Sequence, residues 1–237
     1  HVGALKLHLV ARQQFAVVVP VERPPAAVPT LHAEHPPRPT LQGGEDRLHL
    51  LDVLNRRRSV PARQLGEPGP APAQLDALLR AAVRVPDHGK LAPWRFLLIR
   101  GAARAQLGRR LAELHRRLEP DVAAAVLEKD RERYNAAPLI VAVIARVDAA
   151  HPKIPAQEQL LSAGCVAYNL LLGAQALGFG AQWLTGWAAY APEAAALLGL
   201  AGNERVVGFV HIGTPREPAP ERTRPDTAAL VSEWTGA

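Results

Sequence analysis

Three arginines and a serine, Arg56, Arg57, Arg58 and Ser59, follow directly on the apolar run "LHLLDVLN". A guanidinium keeps its charge at any physiological pH and presents a rigid fork of donors that matches phosphate or carboxylate oxygens. Cations at this place also suit the negative end of a helix dipole without any ligand. The four residues alone leave both readings open. A second cluster lies in "RVPDHGKLAPWRF", residues 84–96, where a proline-bounded loop carries Asp87, His88 and Lys90, and Pro93–Trp94 leads into a strand. Polar loops held by regular elements are where binding residues gather, although a plain surface loop anchored by a tryptophan would read the same way.

Other chemistries lack their signatures. The chain contains no G-x-x-x-x-G-K-[ST], no G-x-G-x-x-G after a strand and no G-x-S-x-G. Cys165, in "SAGCVAYN", has no base near it in sequence and reads as a small buried hydrophobe within a helix. His32 and His35 in "HAEH" have no cysteine or carboxylate partners at ligand spacing, so no metal site is expected. A single cysteine precludes an internal disulfide and fits a reducing compartment, which places the chain in the cytoplasm.

The elements that must position these residues follow from periodicity. Leu48, Leu51, Val53 and Leu54 share one face of a helix that ends near the arginines. "PAQLDALLRAAVRV" sets Leu75, Leu78, Leu79, Ala82 and Val83 on one face and stops before Pro86. "WRFLLIR" reads as a strand. "ARAQLGRRLAELHRRLE" is an amphipathic helix striped by Leu107, Leu111, Leu114 and Leu118. "APLIVAVIAR" is a buried strand rich in branched residues. The helix over 157–178 is apolar on nearly every face, more than one chain of this size readily buries, so it predicts a partner subunit. Strand "AQWLT", short helix "PEAAALLG", strand "RVVGFVHIG" and a polar tail complete the body. Strands and helices alternate in a layered fold, α/β or α+β, around one core.

Residues 1–46 differ from this body. Seven prolines between Pro20 and Pro39 prevent regular helix and predict a poorly ordered arm ahead of a single domain over 47–237. Hydrophobic residues make up 48% of the 237 and charged residues 21%, a globular profile. No uninterrupted apolar stretch is long enough to span a bilayer, so no membrane partner is expected. The net charge of +6 admits anionic ligands, but the arginines are spread along helices and aromatics are only 5%. Nucleic acid is therefore not the expected partner.

Four blocks then follow in order: "NRRRSV", "RVPDHGKLAPWRF", "SAGCVAYNLLLGAQALGFGAQWLTG" and "VVGFVHIGTP". Over roughly residues 48–215 this succession resembles the nitroreductase family of flavin-dependent NAD(P)H oxidoreductases, and most of all its small YdjA-like branch. The resemblance implies an α+β fold in which a mixed, mainly antiparallel sheet is flanked by helices. It further implies an intertwined homodimer with an FMN in each interface cleft. Arg57, Arg58 and Ser59 match the block that holds the FMN phosphate and ribityl chain; Arg84 and His88 match the loop that reaches the flavin from the second chain. Trp183, Leu184 and Thr185 match the strand end that returns to the cofactor.

Departures accompany the match. Lys90 and Ala92 stand where many members carry Asn and Gln; Lys90 either tunes the flavin or is a solvated loop lysine. Arg222 and Arg224 are candidates for a further phosphate contact. The activity implied is ping-pong hydride transfer from NAD(P)H through FMN to a small electron-poor acceptor: a nitroaromatic, a quinone or an enone. No side chain is required as acid or base, so no catalytic residue is nominated. The alternatives are a flavoprotein of this fold with another reaction, such as flavin fragmentation or dehalogenation, and a non-catalytic basic module for anions or nucleic acid.

Overall fold

Strand β3 (Leu139–Arg146) is apolar at every position but its last because both of its faces are covered. Leu139, Val141, Val143 and Ala145 point into one core layer, and Ile140, Ala142 and Ile144 into the other. A run buried on both sides loses the alternation of a half-exposed strand. The computed structural model describes residues 44–236 of the chain. The first 43 residues, and with them His32, His35 and nearly all of the expected proline-rich arm, lie outside the described residues.

In chain order the elements are α1 (Gly44–Arg56), β1 (Leu65–Gly66), α2 (Pro72–Ala82), β2 (Trp94–Arg100), α3 (Ala102–Leu118) and α4 (Ala124–Arg133). Then come β3, α5 (Ala156–Ala176), β4 (Gly180–Leu184), α6 (Pro192–Leu197) and β5 (Glu204–Pro215). β5 is the hub of the sheet: it pairs with β3, β4 and, at its last residues, β1, while β2 continues beyond β3. Every pairing among the described residues is antiparallel. The fold is the expected α+β one, an antiparallel sheet flanked by helices.

α2 and α5 cover one face of the sheet through Leu75, Leu78, Val166 and Leu170. α3 covers the other through Leu107, Leu111 and Leu114. The two stripes read from the sequence are the inward faces, except that Val83 and Leu118, at the helix ends, are exposed. α4 had no such stripe. It packs on α3 where Gly108 leaves room, since a Cβ there would run into the Arg131 carbonyl, and its inward residues are Leu127 and Asp130.

α5 corrects one expectation and sharpens another. Its buried face carries Val166, Ala167, Leu170 and Ala174. Its opposite face is uncovered among the described residues: Leu161 is 60% exposed and Tyr168 41%. Cys165 lies on that face and is exposed rather than buried, because the register that buries Val166 and Ala167 turns it outward.

Candidate functional site

The chain leaves α1 at Arg56 and runs beside the sheet edge, where the Val60 amide donates to the Ala181 carbonyl at 3.0 Å. Two glutamines fix this path. Gln175, near the end of α5, accepts from the Arg58 amide at 3.2 Å and donates to the Val53 carbonyl of α1 at 3.3 Å. Gln182 of β4 accepts from the Ala62 amide at 2.7 Å. Backbone polar groups at a helix exit need partners, and here side chains supply them.

On this fixed segment the three arginines part company. Arg56 pairs with Asp52 one helical turn back, at 2.8 Å, with most of its side chain in solvent. Arg57 donates from Nη1 to Ser59 Oγ at 3.3 Å, so a guanidinium and a hydroxyl share one small exposed surface. Arg58 instead binds Glu221 of the C-terminal tail at 2.7 Å. Arg224 closes the group, reaching the Arg57 carbonyl at 3.3 Å and Glu221 at 3.4 Å. The Glu221 carboxyl is held below the ordinary carboxylate value, first by the Arg222 amide and then by Arg58 and Arg224. The cluster thus already holds one anion.

The second block folds around a carboxylate. Asp87 accepts from the amides of Leu91 at 3.1 Å and Ala92 at 2.9 Å. It thereby stabilises a turn in which Lys90 (φ 56°) and Ala92 (φ 45°) take the left-handed conformation that side chains resist. His88 Nδ1 lies 2.7 Å from Glu158 at the start of α5. The Arg84 carbonyl accepts from Asn169 farther along that helix at 3.2 Å, and the Arg84 side chain is exposed. α5 therefore carries both blocks, with Glu158 near one end and Gln175 near the other. At 1.5 Å per residue that separation is about 25 Å.

The third block is β4 and its exit. Trp183 packs over Gly208, where a Cβ would overlap the indole, and its Nε1 donates to the Val207 carbonyl at 3.2 Å. Leu184 faces the opposite side of the sheet, and Thr185 is half-buried at the strand end. Beyond Gly186 the chain is anchored by Trp187, whose Nε1 donates to Asp130 at 3.1 Å; His115 Nδ1 lies 2.6 Å from the same oxygen. Asp130 is buried, and the His115 ring sits 4.7 Å from Trp187.

A single chain brings Arg57, Arg58, Ser59 and Arg224 into one cluster, sets Trp183–Thr185 on the neighbouring strand, and holds His88 near the far end of α5. The sequence alone does not single out Gln175, Gln182, Glu158 or Glu221, and it shows Asp87 only as a member of the polar loop. Each acts through a partner distant in sequence or through backbone amides, and neither leaves a spacing to read. No metal-binding group of His, Cys, Asp and Glu occurs among the described residues.

Comparison with known proteins adds the family. Residues 54–214 match the model of the nitroreductase family. YdjA of Escherichia coli strain K12, a protein named as an NAD(P)H nitroreductase, is 36% identical over 169 residues, which cover 71% of this chain and 90% of YdjA. A nitroreductase-like family protein of Bacillus cereus superposes with a TM-score of 0.66 at 24% identity, covering 79% of this chain and 96% of that one. A nitroreductase of Desulfovibrio desulfuricans, solved with FMN, gives 0.61 at 21% identity over 78% and 96%. The four blocks in order, the antiparallel sheet they build and these matches lead to one conclusion: the chain belongs to the nitroreductase family.

Proposed function

We propose that this chain is an FMN-dependent NAD(P)H oxidoreductase that reduces a small electron-poor acceptor, and that it works as a homodimer. The observation that carries the reading is the Arg57–Ser59–Arg224 cluster at the exit of α1. Guanidinium forks and a hydroxyl are what a phosphate dianion requires. The residues fit the cofactor, since a carboxylate, Glu221, already sits against Arg58 and Arg224 as an anion would. When bound, FMN supplies the hydride chemistry, taking two electrons from the nicotinamide and delivering them to the acceptor in a second half-reaction.

The chain's own residues bind and orient. Arg57, Ser59 and Arg224 hold the phosphate, with Arg58 beside them. The β4 exit at Trp183, Leu184 and Thr185 forms a wall for the ring, kept in place by the Trp187–Asp130 anchor. Arg84 and His88 reach the site from the partner subunit. For His88 the support is the separation along α5 between Glu158 and Gln175, about 25 Å; Arg84, whose carbonyl meets Asn169, is carried over with it as part of the same block. Lys90, in a left-handed turn held by Asp87, is proposed to bring positive charge to the same cleft. A cytoplasmic setting fits the single cysteine.

The test is a visible spectrum of the purified protein followed by steady-state reduction of nitro, quinone and enone acceptors by NADH and NADPH. Bound flavin and saturable turnover with at least one acceptor class are expected. A protein that neither purifies with FMN nor takes it up on titration would refute the reading in favour of a non-catalytic anion-binding module. Flavin binding without turnover of any of the three classes would favour another reaction on the same fold.

A further inference from the structure

α4 turns Asp130 rather than an apolar stripe toward the body of the molecule. Asp130 and Arg133, three residues apart and so on one face of the helix, both meet the chain where it leaves β4. Arg133 lies against Gly186, where a Cβ would come within 2.6 Å of its Nη1. Gly186 has φ 76°, a conformation that side chains resist, and a glycine turn is free to move unless its neighbours are tied. The next residue is tied. Trp187 donates from Nε1 to Asp130 Oδ2 at 3.1 Å, and His115 Nδ1 of α3 meets the same oxygen at 2.6 Å, its ring 4.7 Å from the indole. A carboxylate only accepts, so both nitrogens donate to it. Asp130 is 3% exposed and His115 7%. A carboxylate buried this deeply costs free energy unless it is paired and hydrogen-bonded, and packed apolar side chains would fill the same space without that cost. What the polar trio supplies instead is direction, because hydrogen bonds fix an orientation that apolar contacts leave free.

We infer that Asp130 and His115 are positioning residues of the flavin site, acting through Trp187 to hold the Thr185–Gly186 backbone at the wall of the cleft. This role rests on the proposed function, which gives that strand end to the ring. Neither residue belongs to the set that touches FMN. His115 reaches the wall only through Asp130, and Asp130 only through Trp187, so the three form a series of links from α3 through α4 to the exit of β4. Breaking one link in a series releases the wall as far as breaking two. The losses on removing Asp130 and on removing the Trp187 donor should therefore not add, which separates a positioning network from independent contributions to the fold.

The test titrates FMN into the flavin-free parent and variants, and follows amide hydrogen exchange of residues 184–191 in the same flavin-free samples. Trp187→Phe keeps an aromatic ring beside His115 and removes only the indole donor. It should weaken FMN binding about threefold to tenfold. It should also quicken exchange in that segment, where the Ala189 and Ala191 amides donate to the Gly186 and Trp187 carbonyls. Asp130→Ala and His115→Ala should match it, and Asp130→Ala/Trp187→Phe should fall no further. Asp130→Asn, which keeps an acceptor oxygen for the indole, should recover most of the affinity. Glu204→Gln breaks a tie between β2 and β5 and should bind FMN as the parent does, whereas a loss that merely follows stability would appear there too. Additive losses in the double variant would overturn the role, as would unchanged FMN affinity in Trp187→Phe and Asp130→Ala. A parent that takes up no FMN would overturn the functional reading and this role with it; a parent that binds beside variants that bind equally overturns the role alone.

Discussion

Arg56, Arg57 and Arg58 are three identical side chains in succession with three different environments. Arg56 continues α1 and pairs one turn back with Asp52, as a solvated helix-end cation does. Arg57 shares its surface with Ser59, whereas Arg58 is committed to Glu221. Removing Arg57 should therefore cost most: hydrogen bonds to a charged group contribute about 1.5–3 kcal/mol, so Arg57→Ala should weaken FMN binding roughly tenfold to a hundredfold. Arg58→Ala should weaken it less, because Arg58 must first give up a carboxylate. Arg56→Ala should bind as the parent does. Titration of FMN into the apo forms orders the three, and equal affinity of Arg57→Ala and parent would return the cluster to a purely dipolar role. The sequence placed the cluster but not this division of labour, which depends on Gln175 and Glu221, residues that meet the arginines only after the chain has closed on itself.

Among elements, legibility followed the periodicity of burial. α2, α3 and β3 bury regular apolar positions and could be read directly; α4 turns Asp130 inward and shows Leu127 as its only buried apolar residue, so no stripe announces it. It is held instead by close approach at Gly108 and by the Asp130–Trp187 contact. Helix propensity favours alanine over glycine by about 1 kcal/mol, yet overpacking costs about 1–3 kcal/mol. Gly108→Ala should lose stability because the obstacle is the Arg131 backbone, which cannot swing aside. A rise in Tm would show that the α3–α4 contact is slack. A second tie between elements is electrostatic. Arg95 of β2 grips Glu204 of β5 with Nε at 2.6 Å and Nη2 at 2.8 Å, spanning β3. The Arg95 hydrogen bonds lower the Glu204 pKa from 4.5 to about 2. A depressed folded pKa means that this stabilisation is present above about 4.5 and is lost as pH falls toward about 2. Glu204→Gln should cost about 1–3 kcal/mol at neutral pH and little near pH 2; a cost that stayed constant across that window, measured by denaturant titration, would assign it to packing rather than charge.

At the scale of the whole molecule, the described residues leave apolar surfaces that their own fold does not use. The outward face of α5 presents Leu161, Cys165, Tyr168 and Leu172, and at Gly164 between them a Cβ would meet nothing within 4 Å. The C-terminal tail carries Leu230, Val231 and Trp234 into solvent, the last 89% exposed. Exposed apolar surface of this extent, continuous along a helix, marks an association site. On the proposed function, a second copy is the occupant that would also complete the flavin cleft, since His88 is held about 25 Å along α5 from the segment that carries the Arg57 cluster. The predicted assembly is a C2 homodimer whose interface buries more than about 2,000 Å² in total. Introducing charge at its centre, in Leu161→Arg/Tyr168→Arg, should give monomers in light scattering, because two guanidiniums per chain would have to be buried unpaired. The substituted side chains are exposed in the single chain, so the secondary structure seen by circular dichroism should survive. Flavin should be lost together with the dimer, as Arg84 and His88 of the second copy go with it. A monomeric variant that still bound FMN with the parent's affinity would show the site to be complete in one chain, and the division of the cleft between two subunits would have to be abandoned.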